Sequence, residues 1–267
     1  LTKVPVDNGV RFSVLSSGSG GNATVVATQS TAVLIDCGVS IKLLQQRAES
    51  VSFDIASLCA IVITHEHGDH ASGAAALARR LNIPIYLTHG TAAATKMWSE
   101  RNVEVNEISP HSDFTIGDLR LSPSPVPHDA REPCQFVIED ATQRRLGVLT
   151  DIGSVTPHVE AHYRGCHALI LEFNHDVALL AECSYPDSLK ARVGGRYGHF
   201  SNDQAKSLLE KIASPELGLI VAAHLSENSN SHEHVEFILQ NIPMDASWQI
   251  AEQDRAMPWA VLPEKSY

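Results

Sequence analysis

The chain has 267 residues, 43% of them hydrophobic and 19% charged, which suits a soluble globular protein of one large domain or two small ones. Its formal net charge of −11 excludes a protein that coats nucleic acid by charge alone, but not an enzyme with a local basic strip. No apolar stretch is long enough to cross a bilayer, and residues 1–11 lack the apolar core of a signal peptide. Five scattered cysteines without a Cys-x-x-Cys pair predict reduced, buried thiols in a cytoplasmic protein without a membrane partner.

Short apolar and β-branched runs predict strands at residues 12–15, 23–27, 32–35, 60–63, 83–87, 119–126, 135–138, 146–150, 168–171, 219–223 and 247–251. Helical patterns fall at residues 40–49, 71–81, 91–99, 176–183, 187–193, 201–212 and 232–240. Ser201 and Gln204 are spaced as a capping box, and Asn230-Ser231 is a candidate cap for the last helix. Closely spaced strands in the first half predict antiparallel hairpins, and the second half alternates strands with helices. Two sheets packed face to face with helices outside would bury these runs, in one domain over residues 1–267.

The stretch from Thr64 to His70 is the most informative part of the chain, because it holds three histidines and two carboxylates. It lies between a predicted strand and a predicted helix, so its side chains can converge from a loop. Imidazole and carboxylate groups are the usual nitrogen and oxygen ligands of divalent transition metals. The His65-x-His67 pair can bind one ion while the following Asp69-His70 pair turns toward a second.

Three more candidate ligands stand where predicted strands end, namely His128, Asp151 and His224. Alone, either histidine would more often be a loop residue, but the repeated placement beside the first cluster favours a metal site. The predicted ligands of the first ion are His65, His67 and His128, and those of the second are Asp69, His70 and His224, with Asp151 as a bridge. Such a pair of ions lowers the pKa of a shared water and predicts a hydrolase.

With these residues, the chain resembles the metallo-β-lactamase-fold hydrolases, whose signature is His65-x-His67-x-Asp69-His70 followed by His128, Asp151 and His224. The resemblance implies an α/β (α+β) fold, a four-layer αββα sandwich with the metals at one edge. It also implies that Asp36 supports the site from behind the ligands. Antibiotic-hydrolysing relatives commonly have a cysteine at the position where this chain has Asp151.

Local strings narrow the resemblance to the YycJ/WalJ-like subgroup; they lie at residues 16–22, 127–130, 150–153, 172–176, 198–202 and 224–226. Members of this subgroup are described as metal-dependent DNA nucleases or phosphodiesterases, with 5′-to-3′ exonuclease activity attributed to the best-known ones. One fold hosts many functions, so the activity is an expectation of its own.

The segment at residues 186–202 is the predicted substrate strip, because it combines fixed cations with a glycine pair that allows close approach. Arg196 is expected to pair with phosphate oxygens, Tyr197 to stack on a base and His199 to contact the scissile group. Asn202 is a further substrate candidate. For Lys190 and Arg192, a solvated helix end is an equal alternative.

Asn174 and His175 follow the predicted strand at 168–171, as the metal ligands follow theirs. Asn174 is a candidate substrate contact, and His175 would protonate the leaving oxygen or orient a ligand, with a helix N-cap region as the alternative. Asn22 closes a glycine-rich turn that either holds an anion or closes a hairpin, and the resemblance favours the site. The predicted catalytic residues are therefore Asp69, His175 and His199.

The favoured function is a dinuclear-metal phosphodiesterase or DNA exonuclease in which a metal-bridging hydroxide attacks phosphorus. DNA is favoured over RNA as the substrate, and the ligands suit Zn²⁺, Mn²⁺ or Fe²⁺. A thioester or lactone hydrolase of the same fold is the alternative, and the acidic net charge suits it better. A metal-binding sensor or scaffold without catalysis is the third hypothesis.

Overall fold

A computed structural model describes residues 9–95 and 102–263. In this part of the chain, one seven-stranded sheet has the spatial order β14-β1-β2-β3-β4-β5-β6. Its strands are β1 (Arg11–Ser16), β2 (Ala23–Ala27), β3 (Ala32–Ile35), β4 (Ala60–Val62), β5 (Ile85–Thr88), β6 (Val105–Ile108) and β14 (Ala260–Val261). Strands β1 to β3 are antiparallel, and β3 to β6 run parallel.

The second sheet, also seven-stranded within the described ranges, has the spatial order β13-β12-β11-β10-β9-β8-β7. Its strands are β7 (Phe114–Ile116), β8 (Leu119–Pro125), β9 (Cys134–Glu139), β10 (Arg145–Leu149), β11 (Ala168–Glu172), β12 (Leu219–Ala223) and β13 (Ser247–Ile250). Strands β7 to β10 form antiparallel hairpins, and β10 to β13 run parallel. Both sheets therefore have a hairpin half and a parallel half.

The described residues form nine α-helices. They are α1 (Ile41–Ser50), α2 (Gly68–Ala71), α3 (Ala74–Leu81), α4 (His89–Ala94), α5 (Pro157–Tyr163), α6 (Val177–Glu182), α7 (Asp187–Val193), α8 (Asn202–Ile212) and α9 (His232–Gln240). None of the helices in the described ranges is long and apolar enough to cross a membrane.

Three apolar layers hold this architecture together. Phe12 and Val33 of the first sheet share the central core with Phe136 and Ile170 of the second. A second cluster fills the space between the first sheet and helices α1 and α3, and a third packs α5, α8 and α9 on the second sheet. The four-layer αββα sandwich predicted from the sequence is confirmed.

The sequence patterns located most elements, and the capping box of Ser201 and Gln204 is present. Ser231 caps α9 with its own hydroxyl. The pattern at residues 71–81 was wrong as one helix, because Gly73 separates α2 from α3. A Cβ at Gly73 would lie 2.1 Å from the carbonyl oxygen of Val39, so the backbones approach too closely for another residue.

Several other expectations need correction. Strands β6, β7 and β14 and helix α5 were not predicted, and the connections from β3 to β6 are parallel rather than hairpins. The helical pattern at residues 91–99 corresponds to α4, and its part beyond residue 95 lies outside the described residues.

In the parallel halves of the two sheets, polar residues follow the ends of several strands. Asp36 follows β3, Asp151 lies two residues after the end of β10, and His224 follows β12. All three have left-handed backbone, with φ of 60°, 53° and 56°. This conformation disfavours residues other than glycine, and such strain clusters at functional sites.

The cysteines give a testable contrast in reactivity. Burial, reinforced by the neighbouring Asp36 charge, raises the pKa of Cys37 to about 12, and burial raises the pKa of Cys166 to about 12 as well. Cys134 is also buried, whereas Cys59 is exposed, which corrects the expectation for that residue. Because the thiolate is the nucleophile, we expect iodoacetamide to alkylate Cys59 in the native protein and these three buried thiols only after unfolding. Peptide mass spectrometry checks this, and equal labelling of Cys37 and Cys59 would contradict it.

Candidate metal centre

Three histidines from two loops converge on one point at the edge of the sandwich. His65 Nε2 lies 3.0 Å from His67 Nδ1, and His67 Nδ1 lies 3.3 Å from His128 Nε2. His65 and His67 lie in the loop after β4, and His128 lies in the loop between β8 and β9. Three imidazole nitrogens pointing at a shared position form a set of donors for a divalent ion.

A second group lies beside the first. Asp69 Oδ2 is 3.5 Å from His70 Nε2 and 3.5 Å from His224 Nε2. Asp151 connects the two groups, because its Oδ2 lies 2.8 Å from His70 Nε2 and its Oδ1 lies 3.9 Å from His128 Nε2. The structure therefore brings together all seven residues that the sequence nominated as ligands.

The buried atoms of this cluster fit a cation. Among the described residues, Asp151 Oδ2 and His224 Nε2 are both buried without a hydrogen bond, and Asp151 Oδ2 lies 2.8 Å from His70 Nε2. Burial alone would lower the pKa of His224, yet the carboxylates of Asp151, Asp69 and Glu172 raise it to about 10. Unpaired polar atoms and concentrated negative charge are costly in a protein interior unless positive charge joins them. The donor set thus fits divalent metal ions.

Polar partners behind the candidate ligands restrict the orientation of their rings. Asp36 accepts hydrogen bonds from His70 Nδ1 at 2.8 Å and from the backbone N–H of Thr64 at 2.9 Å. His128 Nδ1 donates to the carbonyl oxygen of Gly198 at 3.0 Å. A proton held on Nδ1 leaves the Nε2 lone pair free to face a metal. Asp36 thus occupies the supporting position that the resemblance implied.

Glu172 was not among the sequence-based candidates, and it lies fully buried at the end of β11. Its Oε1 accepts from His199 Nδ1 at 2.8 Å and from His224 Nδ1 at 2.9 Å, and its Oε2 accepts from the backbone N–H groups of Ile152 and Phe200. Burial alone would raise the pKa of Glu172, but the two imidazoles lower it to about 2. A glutamate that ends an otherwise apolar strand was the signal available in the sequence.

The cluster opens into a cleft of about 350 Å³, which His67, Asp69, Asp151 and His224 help to line. His199 lines it too, and its Nδ1 is 3.3 Å from Asp151 Oδ1. Asn174 also lines the cleft, and its Nδ2 donates to the carbonyl oxygen of His224 at 3.0 Å. Asn22 lies 3.0 Å from His70 Nε2 and uses its amide on the glycine-rich turn, so it contacts a ligand rather than the cleft.

Besides Asn22, four predicted catalytic and substrate-binding residues do not line the cleft. Arg196 and Tyr197 are exposed and do not line it. Asn202 is buried and exchanges hydrogen bonds with Asn230. His175 is buried, and its Nδ1 has no hydrogen-bond partner among residues 9–95 and 102–263. Arg192 within helix α7 lines the cleft, whereas Arg196 follows the helix and does not.

Comparisons with known proteins agree with this geometry. A family model for the β-lactamase superfamily domain matches residues 31–221. The chain is 31% identical over 252 residues to exodeoxyribonuclease YycJ of Bacillus anthracis, which covers 91% of this chain and 93% of that protein. It is 30% identical over 238 residues to exodeoxyribonuclease WalJ of Streptococcus pneumoniae serotype 2, which covers 87% and 88%. The chain belongs to the β-lactamase superfamily, in its YycJ/WalJ group.

A solved structure of this superfamily extends the likeness to the whole fold. The metallo-β-lactamase fold protein YhfI from Bacillus subtilis matches with a TM-score of 0.72 at 15% identity, covering 94% of this chain and 99% of that one. The fold of this superfamily and the converging groups of His and Asp side chains together indicate that this chain binds divalent metal.

Metal removal should therefore destabilise this β-lactamase superfamily protein. A ligand present at a hundred times its Kd stabilises the folded state by about 2.7 kcal/mol, which corresponds to about 5 to 10 °C in Tm for a chain of this size. We expect EDTA to lower the Tm by that amount and added Mn²⁺ or Zn²⁺ to restore it, as measured by differential scanning fluorimetry on chelated protein. An unchanged Tm across all metals would contradict metal binding at this buried cluster.

Proposed function

We propose that this protein is a dinuclear metal-dependent phosphodiesterase that degrades nucleic acid, with DNA as its substrate. One observation carries the proposal: two groups of metal donors, connected by Asp151, open into a cleft that also holds His199 and Arg192. The similarity to two exodeoxyribonucleases over most of the chain supports a phosphodiester substrate.

Each ion would have its own ligands. His65, His67 and His128 would hold one, and Asp69, His70 and His224 the other, with Asp151 shared. When bound, two divalent ions activate water and stabilise the charge that develops on phosphoryl oxygens. Zn²⁺, Mn²⁺ and Fe²⁺ all suit these nitrogen and oxygen donors.

His199 is the residue we propose as the proton donor to the leaving oxygen. Its Nδ1 donates to Glu172, which fixes the ring and leaves Nε2 as the nitrogen available to hold and release a second proton. The side chain is 19% exposed where it lines the cleft, so the ring can reach a substrate.

Asp69 and Asn174 complete the proposed set. The Asp69 carboxylate is 24% exposed and can accept a hydrogen bond from the attacking water. Asn174 would hold His224 in place through the carbonyl oxygen to which it donates. His175 does not line the cleft and has no role in this proposal.

The test is cleavage of end-labelled single- and double-stranded DNA by the purified protein with Mn²⁺, with RNA as a parallel substrate. Asp69→Asn keeps the size of the side chain but removes the negative charge of a proposed metal ligand, so we expect it to abolish cleavage. Acyl-glutathione and lactone substrates serve as the comparison for the small-molecule alternative. No metal-dependent cleavage of DNA, RNA or bis-p-nitrophenyl phosphate would refute the proposal, and turnover of a thioester would favour the alternative.

A further inference from the structure

One wall of the cleft carries a cation and an apolar surface that the metal centre does not use. Leu189, Arg192 and Val193 of α7 line the cleft, and Tyr185 precedes the helix on the same wall. Their spacing of three and four places the α7 residues on one helix face. Arg192 is the single lysine or arginine that lines the cleft within the described residues.

Arg192 is held in a specific position. Its Nε donates to Asp129 Oδ2 at 2.5 Å, and Asp129 Oδ1 lies 3.5 Å from His128 Nε2. The described residues offer no hydrogen bond to the two Nη groups of Arg192. An arginine fixed at Nε keeps a planar pair of donors for another anion, which is the geometry that phosphate oxygens accept.

The helix that carries Arg192 is fixed against the His199 loop. The backbone N–H of His199 donates to the carbonyl oxygen of Val193 at 2.8 Å. A Cβ at Gly198 would lie 2.1 Å from the carbonyl oxygen of Arg192, so only glycine permits this approach. The backbones that carry Arg192 and His199 are therefore packed directly against each other.

Tyr185 is the aromatic residue on this wall. Asn228 Nδ2 donates to its hydroxyl at 3.0 Å, which restricts the ring, and the side chain remains half-buried beside Leu189. An aromatic ring next to apolar side chains suits a nucleobase of any identity, because every base offers a flat face. The volume of about 350 Å³ is at the lower end for small-ligand sites and suits one nucleotide unit.

We propose that this wall is the subsite for a single nucleotide, in which Arg192 binds a phosphate and Tyr185 packs against the nucleobase. The inference rests on the proposed phosphodiesterase function and names the residues that select its substrate. It replaces Arg196 and Tyr197 as phosphate and base contacts, because these two do not line the cleft.

Two phosphodiesters with the same charge and leaving group separate the two roles: methyl p-nitrophenyl phosphate and the p-nitrophenyl ester of thymidine monophosphate. For Arg192→Gln we expect the KM of the metal-loaded enzyme to rise roughly tenfold to a hundredfold for both esters, since a charge-assisted bond to phosphate is lost, with kcat little changed. Arg192→Lys keeps the charge without the planar fork and should give an intermediate KM. For Tyr185→Ala we expect a rise of roughly tenfold for the nucleoside ester alone.

Arg79→Gln is the matched control, because Arg79 is an exposed α3 residue that does not line the cleft. It removes the same charge and should leave both KM values unchanged. An unchanged KM in Arg192→Gln would overturn the phosphate role. Equal effects of Tyr185→Ala on the KM of the two esters would overturn the base contact. A change in the Tm of Tyr185→Ala with no change in its KM values would overturn it as well.

Binding of thymidine monophosphate to the metal-loaded protein, measured by calorimetry, keeps this inference distinct from the proposed function. If the wild type hydrolyses neither ester nor nucleic acid but binds the nucleotide, and Arg192→Gln and Tyr185→Ala weaken binding, the subsite stands and the function fails. If the wild type hydrolyses both esters while the variants bind and turn over normally, the function stands and the subsite fails. Absence of nucleotide binding in the wild type would also refute the subsite.

Discussion

Asp151→Asn should reduce phosphodiester hydrolysis by roughly a thousandfold, because Asp151 is the residue that connects both groups of donors. Loss of charge stabilisation by a metal costs several kcal/mol, and each 1.4 kcal/mol is about tenfold in rate. Asparagine is the sharpest replacement, because it keeps the size of the side chain and tolerates the left-handed backbone at this position, where φ is 53°. A fall in bound metal per chain, measured by inductively coupled plasma mass spectrometry, should accompany the loss of rate.

Asp245→Asn is the matched control for this variant. Asp245 is exposed and lies outside the cleft, so the same change of charge should leave metal content and rate at wild-type values. Full activity and full metal content in Asp151→Asn would show that Asp151 is not a ligand.

Glu172→Gln should weaken metal binding by about 10- to 100-fold, which is the usual effect of changing a residue that orients ligands. Glu172 Oε2 accepts from the backbone N–H groups of Ile152 and Phe200, so the amide oxygen of glutamine should remain there. The amide NH₂ then faces His224 Nδ1 and His199 Nδ1, which now donate to Oε1. Both rings would have to accept at Nδ1 and move the proton to Nε2, where His224 needs its lone pair for the metal.

Competition with a chromogenic chelator measures this affinity, and the rate at saturating metal reports the separate effect on His199. Glu233→Gln, an exposed change at the start of α9, provides the control for charge and composition. A metal affinity within twofold of wild type would contradict the orienting role of Glu172.

Much of the fold could be predicted because many of its strands and helices have recognisable local sequence patterns. Strands such as β2, β3 and β12 are short apolar runs whose predicted bounds match the structure. Helix α5 was missed although Thr156 caps it and Pro157 stands at its first turn, which are recognisable start signals. Strands β6 and β14 form the two edges of the first sheet; β6 has no fully buried residue and β14 has only two residues, so their pairing depends on contacts distant in sequence.

The convergence of the seven candidate ligands could be predicted, because four of them belong to one dense motif and three follow strand ends. Which residues line the cleft could not be predicted, because the sequence does not reveal which way a short helix and its loop rotate. Arg192 and Arg196 are four residues apart and both exposed, yet the first belongs to α7 and lines the cleft while the second follows the helix and does not. Glu172 was overlooked because its role appears only when β10, β11 and β12 lie side by side.

The left-handed backbone at Asp36, Asp151 and His224 has a consequence for the history of this lineage. Glycine is the residue best suited to such torsions. It does not replace these three residues because each side chain is needed in the proposed metal centre. A descendant released from catalysis could relieve this backbone strain by accepting glycine at these places. Glycine at positions corresponding to 36, 151 and 224 would thus mark members of the lineage that have become inactive.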